Sequence, residues 1–285
     1  MEYINTNTKT MKKILVPVDF SEYSENALKV AATIAKKQHA EIVAVHMLGL
    51  SDAVITKEDD SMEGMFFVQL TKKRFAEFLD KDYLDGITIH QTVKNYKVFS
   101  EIDDVAKEYE ADLIVMGSHG SSGLTEVFVG SNTEKVVRTA SAPVLVIKEK
   151  SDFNIKRAVF ASDYRLESLE VFNKTTNLFK KLGIEVKLLF VNLPGEYYLS
   201  TNEIEQRITN FLVHLHKDDN ILPEDIAIYS DYSVEKGVFN YAKRVKADII
   251  GIPTHGRKGL AHFFSGSISE DIVNHSKLPV LTVKI

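Results

Sequence analysis

The strongest constraint on the fold is a segment that occurs twice, once near the middle of the chain and once at its end. Residues 112–148 and 248–284 align without a gap. Each copy holds an apolar run, a glycine-containing loop, a helical pattern and a second apolar run. A repeat of this size is a whole domain and not the short unit of a solenoid. The sequence therefore predicts two similar domains within its 285 residues.

Strand and helix signals alternate through both halves. Short apolar runs such as Ile14–Val18 and Leu113–Met116 are typical of parallel strands buried on both faces. Segments with helical periodicity separate these runs, and the alternation favours parallel pairing with right-handed crossovers. The polar stretch 149–155 separates the two patterns. We expect a disordered tail over 1–10, a first domain over 11–149 and a second over 156–285.

Composition excludes several classes of protein. A net charge of −5 argues against a nucleic-acid binder, which usually carries a basic surplus. No apolar run approaches the roughly 18 residues of a membrane-spanning helix. The absence of cysteine excludes disulfides, thiolate metal sites and a cysteine nucleophile. Because the N-terminus is polar and lacks the apolar core of a signal peptide, we expect a cytoplasmic protein without nucleic-acid or membrane partners.

The loop of the first copy has the features of an anion-binding site. Gly117 and Gly120 permit positive φ and let a ligand approach the backbone closely. Gly130 and Ser131 directly precede a helical pattern, where free N–H groups and the helix dipole favour phosphate. A purely structural explanation fits equally well, because Ser131–Glu134 has the pattern of a capping box. Glycine spacing alone leaves both interpretations open.

Asp19 ends the first predicted strand, and Asp163 recurs at the matching place in the second half. Open α/β sheets bind ligands at the carboxyl ends of their strands, and a carboxylate there can accept hydrogen bonds from ribose hydroxyls. Capping of the next helix, which Asp19–Glu22 also fits, is the alternative. No serine or carboxylate pair lies at catalytic spacing, so His46 and His119 are expected to have structural roles, and no catalytic residue is predicted.

The second loop departs from the first. Pro253 stands where the first copy has Gly117, and proline has a fixed φ and no N–H. Arg257 and Lys258 add positive charge where the first copy has two serines. We therefore expect ligand binding in the second half to be weakened, different or lost.

Together these residues resemble the universal stress protein family in its tandem two-domain form. The marks are residues 14–21, Val45–Met47, Met116–Gly120, Gly130-Ser131 and 143–146. The resemblance covers nearly the whole chain, once per half, with the glycine spacing of the family's ATP-binding branch. It implies an α/β fold of two Rossmann-like domains, of the adenine nucleotide alpha hydrolase-like type. Each would have a five-stranded parallel sheet, strand order 3-2-1-4-5, flanked by helices.

The resemblance also implies a ligand, namely ATP with ADP or AMP as alternatives, and Mg²⁺ held through the phosphates without direct protein ligands. It implies adenosine contacts in the first domain by Pro17, Val18, Asp19 and Met47. Ribose and phosphate contacts would come from Met116, Gly117, Gly120, Gly130, Ser131, Asn132 and Thr133. The residues implied for a second site are Asp163, Gly256, Gly266, Ser267 and Ser269.

Members of the family commonly dimerise through the last strand. Val144–Ile147 and Val280–Val283 are therefore expected to meet within the chain as a pseudo-dimer, with a further homodimer as an additional expectation. Three residues depart from the family's pattern. Tyr96 and Tyr232 stand where a small residue is common, and Asn192 replaces a histidine of the second strand.

The leading functional hypothesis is a stress-response protein with an unidentified protein partner, in which ATP is a structural or regulatory ligand. Fast phosphoryl transfer needs a positioned base and a cation that stabilises the transition state, and no lysine or arginine lies between Gly117 and Ser131. One alternative is a nucleotide-free interaction scaffold. Another is a slow ATPase or a nucleotidyl transferase, which the absence of HxGH and SGGxDS signatures disfavours.

Overall fold

The computed structural model of the chain describes residues 11–47, 62–94, 101–119, 130–148, 154–215, 220–254 and 266–285. Side chains are described throughout these ranges except at 62–68 and 266–268. The predicted tail over 1–10 lies outside the described residues.

Strands and helices alternate in both halves as predicted. The first half contains β1 (Lys13–Pro17), α1 (Glu22–Gln38), β2 (Glu41–Met47), α2 (Met62–Leu79), β3 (Ile89–Lys94), α3 (Ile102–Glu108), β4 (Leu113–Gly117), α4 (Ser131–Thr139) and β5 (Val144–Ile147). The second contains β6 (Arg157–Ala161), α5 (Leu169–Lys181), β7 (Glu185–Asn192), α6 (Thr201–Val213), β8 (Ile226–Ser230), α7 (Val234–Val245), β9 (Ile249–Thr254), α8 (Gly266–His275) and β10 (Val280–Lys284).

All ten described strands belong to one sheet with the order β3-β2-β1-β4-β5-β10-β9-β6-β7-β8. The predicted order 3-2-1-4-5 is confirmed for the first half, and the second half repeats it. Strands within each half are parallel. The expected meeting of the last strands is present, because β5 and β10 pair antiparallel with Leu145 opposite Leu281.

The sheet divides the apolar core into two layers. Ile14 and Val16 of β1 pack in the layer that contains α1, α2, α5 and α6. Leu15, between them in sequence, packs in the layer that contains α3, α4, α7 and α8. Each layer includes residues of both halves, so the core continues across the β5–β10 junction. Burial of both faces explains why inner strands such as β1, β4 and β5 are continuous apolar runs.

Local sequence explains where α1 begins and ends. The side chain of Ser21 caps the helix by accepting a hydrogen bond from the Ser24 N–H. The first turn carries acidic residues and the last turn basic ones, which suits the helix dipole. His39 then takes a left-handed conformation with φ of 53°, and the next residue donates its N–H to the Ala35 carbonyl. The chain is thereby turned directly into β2.

At two neighbouring core positions, one half of the chain has a small residue where the other has a larger one. A Cβ at Gly251 of β9 would lie 2.9 Å from Cε2 of Phe179 and 3.2 Å from Cδ2 of Phe160. By the register of the strands, Val115 stands at the matching place of β4 in the first half, where Ala35 replaces Phe179. Both solutions fill similar space, because close-packed interiors conserve total volume better than individual side chains.

This exchange generates a testable prediction. Gly251→Val should lower the free energy of unfolding by about 1–3 kcal/mol through overpacking, and Phe179→Ala should lower it by about 3–5 kcal/mol through an empty cavity. The double variant copies the first half's combination and should cost clearly less than the sum. Urea unfolding of the wild type and the three variants measures this coupling. Additive losses would show that the two sites are not in contact.

Candidate functional site

A cleft opens at the carboxyl ends of β1, β2 and β4, beside the N-terminus of α4. Its lining combines four separate segments of the first half: Pro17, Val18, Asp19, Ser24, Val45, Met47, Met116, Gly117, His119, Gly130, Ser131, Asn132 and Thr133. Every residue predicted for the first site that the structure describes belongs to this lining. Gly120 lies outside the described residues. The carboxyl edge of the sheet thus brings together residues that are more than 100 positions apart in sequence.

Asp19 is half-buried in the wall of the cleft. Its Oδ1 accepts hydrogen bonds from the N–H of Ser21 at 3.0 Å and from its hydroxyl at 2.6 Å. The alternative that Asp19 is itself the helix cap is wrong, because Ser21 occupies that position. Asp19 instead fixes the capping serine, which places a carboxylate at the end of β1 in a defined orientation.

Gly117 has a packing role that the sequence did not reveal. A Cβ at this position would lie 2.8 Å from the carbonyl oxygen of Tyr23, in the first turn of α1. The described glycines with positive φ are Gly86, Gly183 and Gly195, so the positive φ that Gly117 would permit is not used. The absent side chain lets α1 approach the end of β4 and narrows the cleft between them.

The N-terminus of α4 faces the cleft without a side-chain cap. Gly130 is the N-cap residue, and its carbonyl accepts hydrogen bonds from the N–H groups of Thr133 and Glu134. The capping box predicted at Ser131–Glu134 is therefore wrong, since Ser131 is already the first helical residue. Ser131 and Asn132 are exposed, and the first N–H groups of a helix have no intrahelical acceptor. Their amides and hydroxyl remain able to bind an anion.

Two hydrogen bonds hold this helix start against β4. The buried hydroxyl of Thr133 donates to the carbonyl of Gly117 at 2.9 Å. The N–H of Gly130 donates to the carbonyl of Ser118 at 2.8 Å. These two bonds attach the start of the helix to the end of the strand without a ligand.

His46 supports the end of β1 and does not line the cleft. Its Nδ1 donates to the carbonyl of Val18 at 2.6 Å, and its ring lies 4.7 Å from that of Phe20. Burial lowers the pKa of His46 below its usual value, and the nearby Arg74 lowers it further. The contact with Val18 and the charge of Asp19 oppose this without reversing it. The predicted structural role of His46 agrees with these contacts.

Three lining residues were not predicted as site residues, namely Ser24, Val45 and His119. Ser24 lies in the first turn of α1, and Val45 lies two residues before Met47 on the same side of β2. His119 packs against Tyr23 with ring centroids 5.1 Å apart, and its Nδ1 lies 2.9 Å from the Ser118 hydroxyl. Its Nε2 is buried without a partner. Strand periodicity could have identified Val45, whereas the other two depend on tertiary packing.

Comparison with known proteins identifies the family. The sequence profile of the universal stress protein family matches residues 10–148 and again residues 154–284. The chain belongs to the universal stress protein family. Both halves are universal stress domains in tandem, which confirms the resemblance noted in the sequence. The domain limits 11–149 and 156–285 stay a prediction.

Individual relatives agree with this assignment. Universal stress protein MJ0531 of Methanocaldococcus jannaschii is 35% identical over 150 residues, covering 51% of this chain and 87% of that protein. MJ0577 of the same organism is 31% identical over 156 residues, covering 49% of this chain and 96% of that protein. The solved structure of a universal stress protein from Archaeoglobus fulgidus is similar to this one with a TM-score of 0.64. The superposition covers 95% of this chain and 98% of the Archaeoglobus chain. Its 19% identity supports the fold alone.

In the second universal stress domain, the carboxylate of Asp163 is bound by other groups of the protein. Asp163 is only 5% exposed. It accepts hydrogen bonds from the Ser168 hydroxyl at 3.0 Å and from the Arg165 N–H at 3.2 Å. The Arg165 side chain also pairs with it, with Nε 3.4 Å from Oδ2. Asp163 is therefore more deeply buried than the half-buried Asp19 of the first domain, and it is paired with an arginine.

The strand register corrects one comparison between the domains. Leu189 pairs with β6 in the register in which Val45 pairs with β1. The next residue, Phe190, is therefore the equivalent of His46. The prediction that Asn192 replaces the histidine is wrong, because the motif was aligned two residues too far along the strand. Where the first domain has an imidazole that holds β1, the second has only an apolar ring.

The remaining predictions for the second site fall partly outside the described residues, as Gly256 does. Gly266 and Ser267 begin α8, their side chains are not described, and Ser269 is buried at 3% exposure. Of the two tyrosines noted as departures, Tyr96 lies outside the described residues. Tyr232 is 84% exposed.

In the described part of the chain, no helix has the length and apolarity needed to cross a membrane.

The lowered pKa of His46 predicts a pH effect on stability. The unfolded chain binds a proton at this residue near pH 6.5, whereas the folded protein does so only at lower pH. Stability due to His46 is therefore complete above 6.5 and is lost as the pH falls through the folded pKa. His46→Phe copies Phe190 and removes this dependence. The free energy of unfolding of the wild type, relative to that of the variant, should fall between pH 7.5 and pH 5. Urea unfolding measures both values, and parallel pH curves would contradict the prediction.

Proposed function

We propose that this universal stress protein takes part in the stress response by binding ATP with Mg²⁺ in its first domain, as a structural or regulatory ligand. The observation that carries the proposal is the composition of one cleft. The residues that the family resemblance implied for adenosine and for phosphates come from four segments, and all those described line the same cavity. A cytoplasmic location and an unidentified protein partner are part of the proposal.

The chemistry of the cleft fits an adenine nucleotide from one end to the other. Val18 and Met47 offer apolar surface for a base, and Asp19 offers acceptors for the ribose hydroxyls. The exposed start of α4 offers amides to the phosphates. No lysine or arginine is among the described lining residues. Much of the phosphate charge would therefore be balanced by Mg²⁺, bound through the phosphates themselves.

The second domain is proposed to bind the nucleotide weakly or not at all. A ribose diol would have to compete with the Ser168 hydroxyl and the Arg165 guanidinium for the Asp163 carboxylate. Separating that ion pair in a buried place costs free energy that binding would have to supply. Pro253 also removes one N–H from the second loop.

A ligand role is favoured over catalysis for a related reason. Rapid phosphoryl transfer requires cationic stabilisation of the transition state and a positioned base. The described lining contributes neither a cation nor a hydrogen-bonded pair of nucleophile and base. One universal stress protein of solved structure was determined in complex with cAMP. That observation belongs to that protein, and the present proposal rests on the residues of this chain.

Ser131→Asp separates ligand binding from folding. An aspartate in the first turn stabilises a helix by about 0.3–1 kcal/mol, yet it places a negative charge where the phosphates are proposed to bind. The affinity for Mg-ATP should fall at least about tenfold, by ~1.4 kcal/mol or more. The melting temperature without ligand should be unchanged or higher. Isothermal titration calorimetry and thermal unfolding measure the two quantities.

The matched control is Ser267→Asp at the same place in the second domain, which should leave the affinity unchanged. A wild-type protein that shows no thermal shift with Mg-ATP, and from which no adenine nucleotide is released on denaturation, would exclude the ATP proposal. The nucleotide-free scaffold would then be the better explanation.

Hydrolysis provides an independent prediction. Phosphate release from Mg-ATP should not exceed the rate of the Ser131→Asp variant, because the described cleft lacks the groups that stabilise the transition state. A malachite green assay over several hours measures the rate. Release that depends on Ser131 and clearly exceeds the variant would identify the protein as an ATPase.

A further inference from the structure

Two lysines cross the junction between the domains in opposite directions. Lys284, in the last strand of the second domain, donates from Nζ to the carbonyl of Thr139 at 3.3 Å, at the end of α4 in the first domain. Lys148, directly after the last strand of the first domain, donates to the carbonyls of Val273 and Asn274 in the last turn of α8. Each domain thus supplies a cation to the C-terminus of the other domain's helix.

The two contacts are equivalent by the internal repeat. Residues 112–148 and 248–284 align without a gap, so Lys148 and Lys284 occupy the same position of the two copies. Lys148 directly follows β5 and Lys284 is the last residue of β10, and these two strands pair antiparallel at the junction. The pseudo-twofold arrangement of β5 and β10 therefore generates the exchange, and a domain on its own would lack the lysine that its helix receives.

The contacts have a clear physical effect on the helices. The last carbonyl groups of a helix have no intrahelical donor, and the helix dipole makes a cation favourable at this end. α4 is short, at 9 residues, so its last turn is a large part of its length. Lys148 shows that the contact is made in a partly dry place, because burial lowers its pKa to about 8.

The opposite end of α4 is where the proposed phosphate site lies. The start of the helix is attached to β4 through Thr133 and Gly130. Its end is attached to the second domain through Lys284. The direction in which the amides of Ser131 and Asn132 point depends on both attachments, because a short helix turns as a rigid body.

We propose that Lys284 is a positioning residue for the phosphate site of the first domain, so that the second domain completes a site to which none of its described residues contributes lining. This inference rests on the proposed function. It gives the second domain a role even without a nucleotide of its own, namely that of a covalently attached subunit. Any partner or modification that disturbs the β5–β10 junction would then alter phosphate binding in the first domain.

The test compares variants of the two equivalent lysines in the full chain. Lys284→Met removes the cation from α4, and Lys148→Met removes the matching cation from α8. Loss of a favourable interaction at a helix end predicts a two- to tenfold weaker affinity for Mg-ATP in Lys284→Met. Lys148→Met should lose comparable thermal stability but keep the wild-type affinity. Titration calorimetry gives the affinities.

Titration with adenosine distinguishes an effect of Lys284 on the phosphate site from general damage to the fold. It lacks phosphates, so its affinity should be equal in wild type and Lys284→Met, and the ratio of ATP to adenosine affinity should fall. Lys284→Arg keeps the charge and should restore the ratio to within about twofold of the wild type. If Lys284→Met does not fold, Lys284→Gln, which keeps a donor without the charge, takes its place.

Three outcomes overturn the inference. Lys284→Met could bind Mg-ATP like the wild type, the two lysine variants could lose affinity equally, or ATP and adenosine affinity could fall together. Absence of Mg-ATP binding by the wild type would instead overturn the proposed function, and the inference with it. The wild-type titration therefore tells the two failures apart before any variant is made.

Discussion

Antiparallel pairing of β5 with β10 is the interaction on which the architecture of both domains depends. Each strand would be the exposed edge of a five-stranded sheet if its domain stood alone, and unpaired edges invite uncontrolled association. Pairing within the chain satisfies both edges and continues both core layers from one domain into the other. It also brings Lys148 and Lys284 to the helix ends that they contact.

The two domains contribute equivalent strands to the junction, but their interiors differ in sequence and packing. Around β9 the second domain fills its core with Phe160 and Phe179 and leaves only a glycine at position 251. At the end of β6 it pairs Asp163 with an arginine, whereas Asp19 of the first domain faces a cleft. A tandem protein can specialise in this way, because one domain can lose a ligand while it still supports the other through the shared sheet.

Most of the fold, and part of the site, could be predicted from the sequence. Buried parallel strands are visible in the sequence as apolar runs. Asp19 follows the first of these runs closely, and Gly130 directly precedes a helical pattern. The errors concern contacts between elements that are distant in sequence. The alternative that Ser131 caps the helix rests on a local pattern, but the cap is the preceding residue, Gly130. The sequence indicates that Gly117 permits a positive φ and close approach of a ligand, whereas in the structure its small size allows the approach of Tyr23.

The sequence alone determined the duplication and the alternation of strands and helices, and the family resemblance supplied the strand order. The first two properties follow from local composition and spacing, which the chain carries in any conformation. Only the tertiary structure decided that Asp163 is occupied, that Phe190 stands in the place of His46, and that a lysine of each domain caps a helix of the other. Such contacts depend on register and on distances across the junction, and no local pattern encodes those.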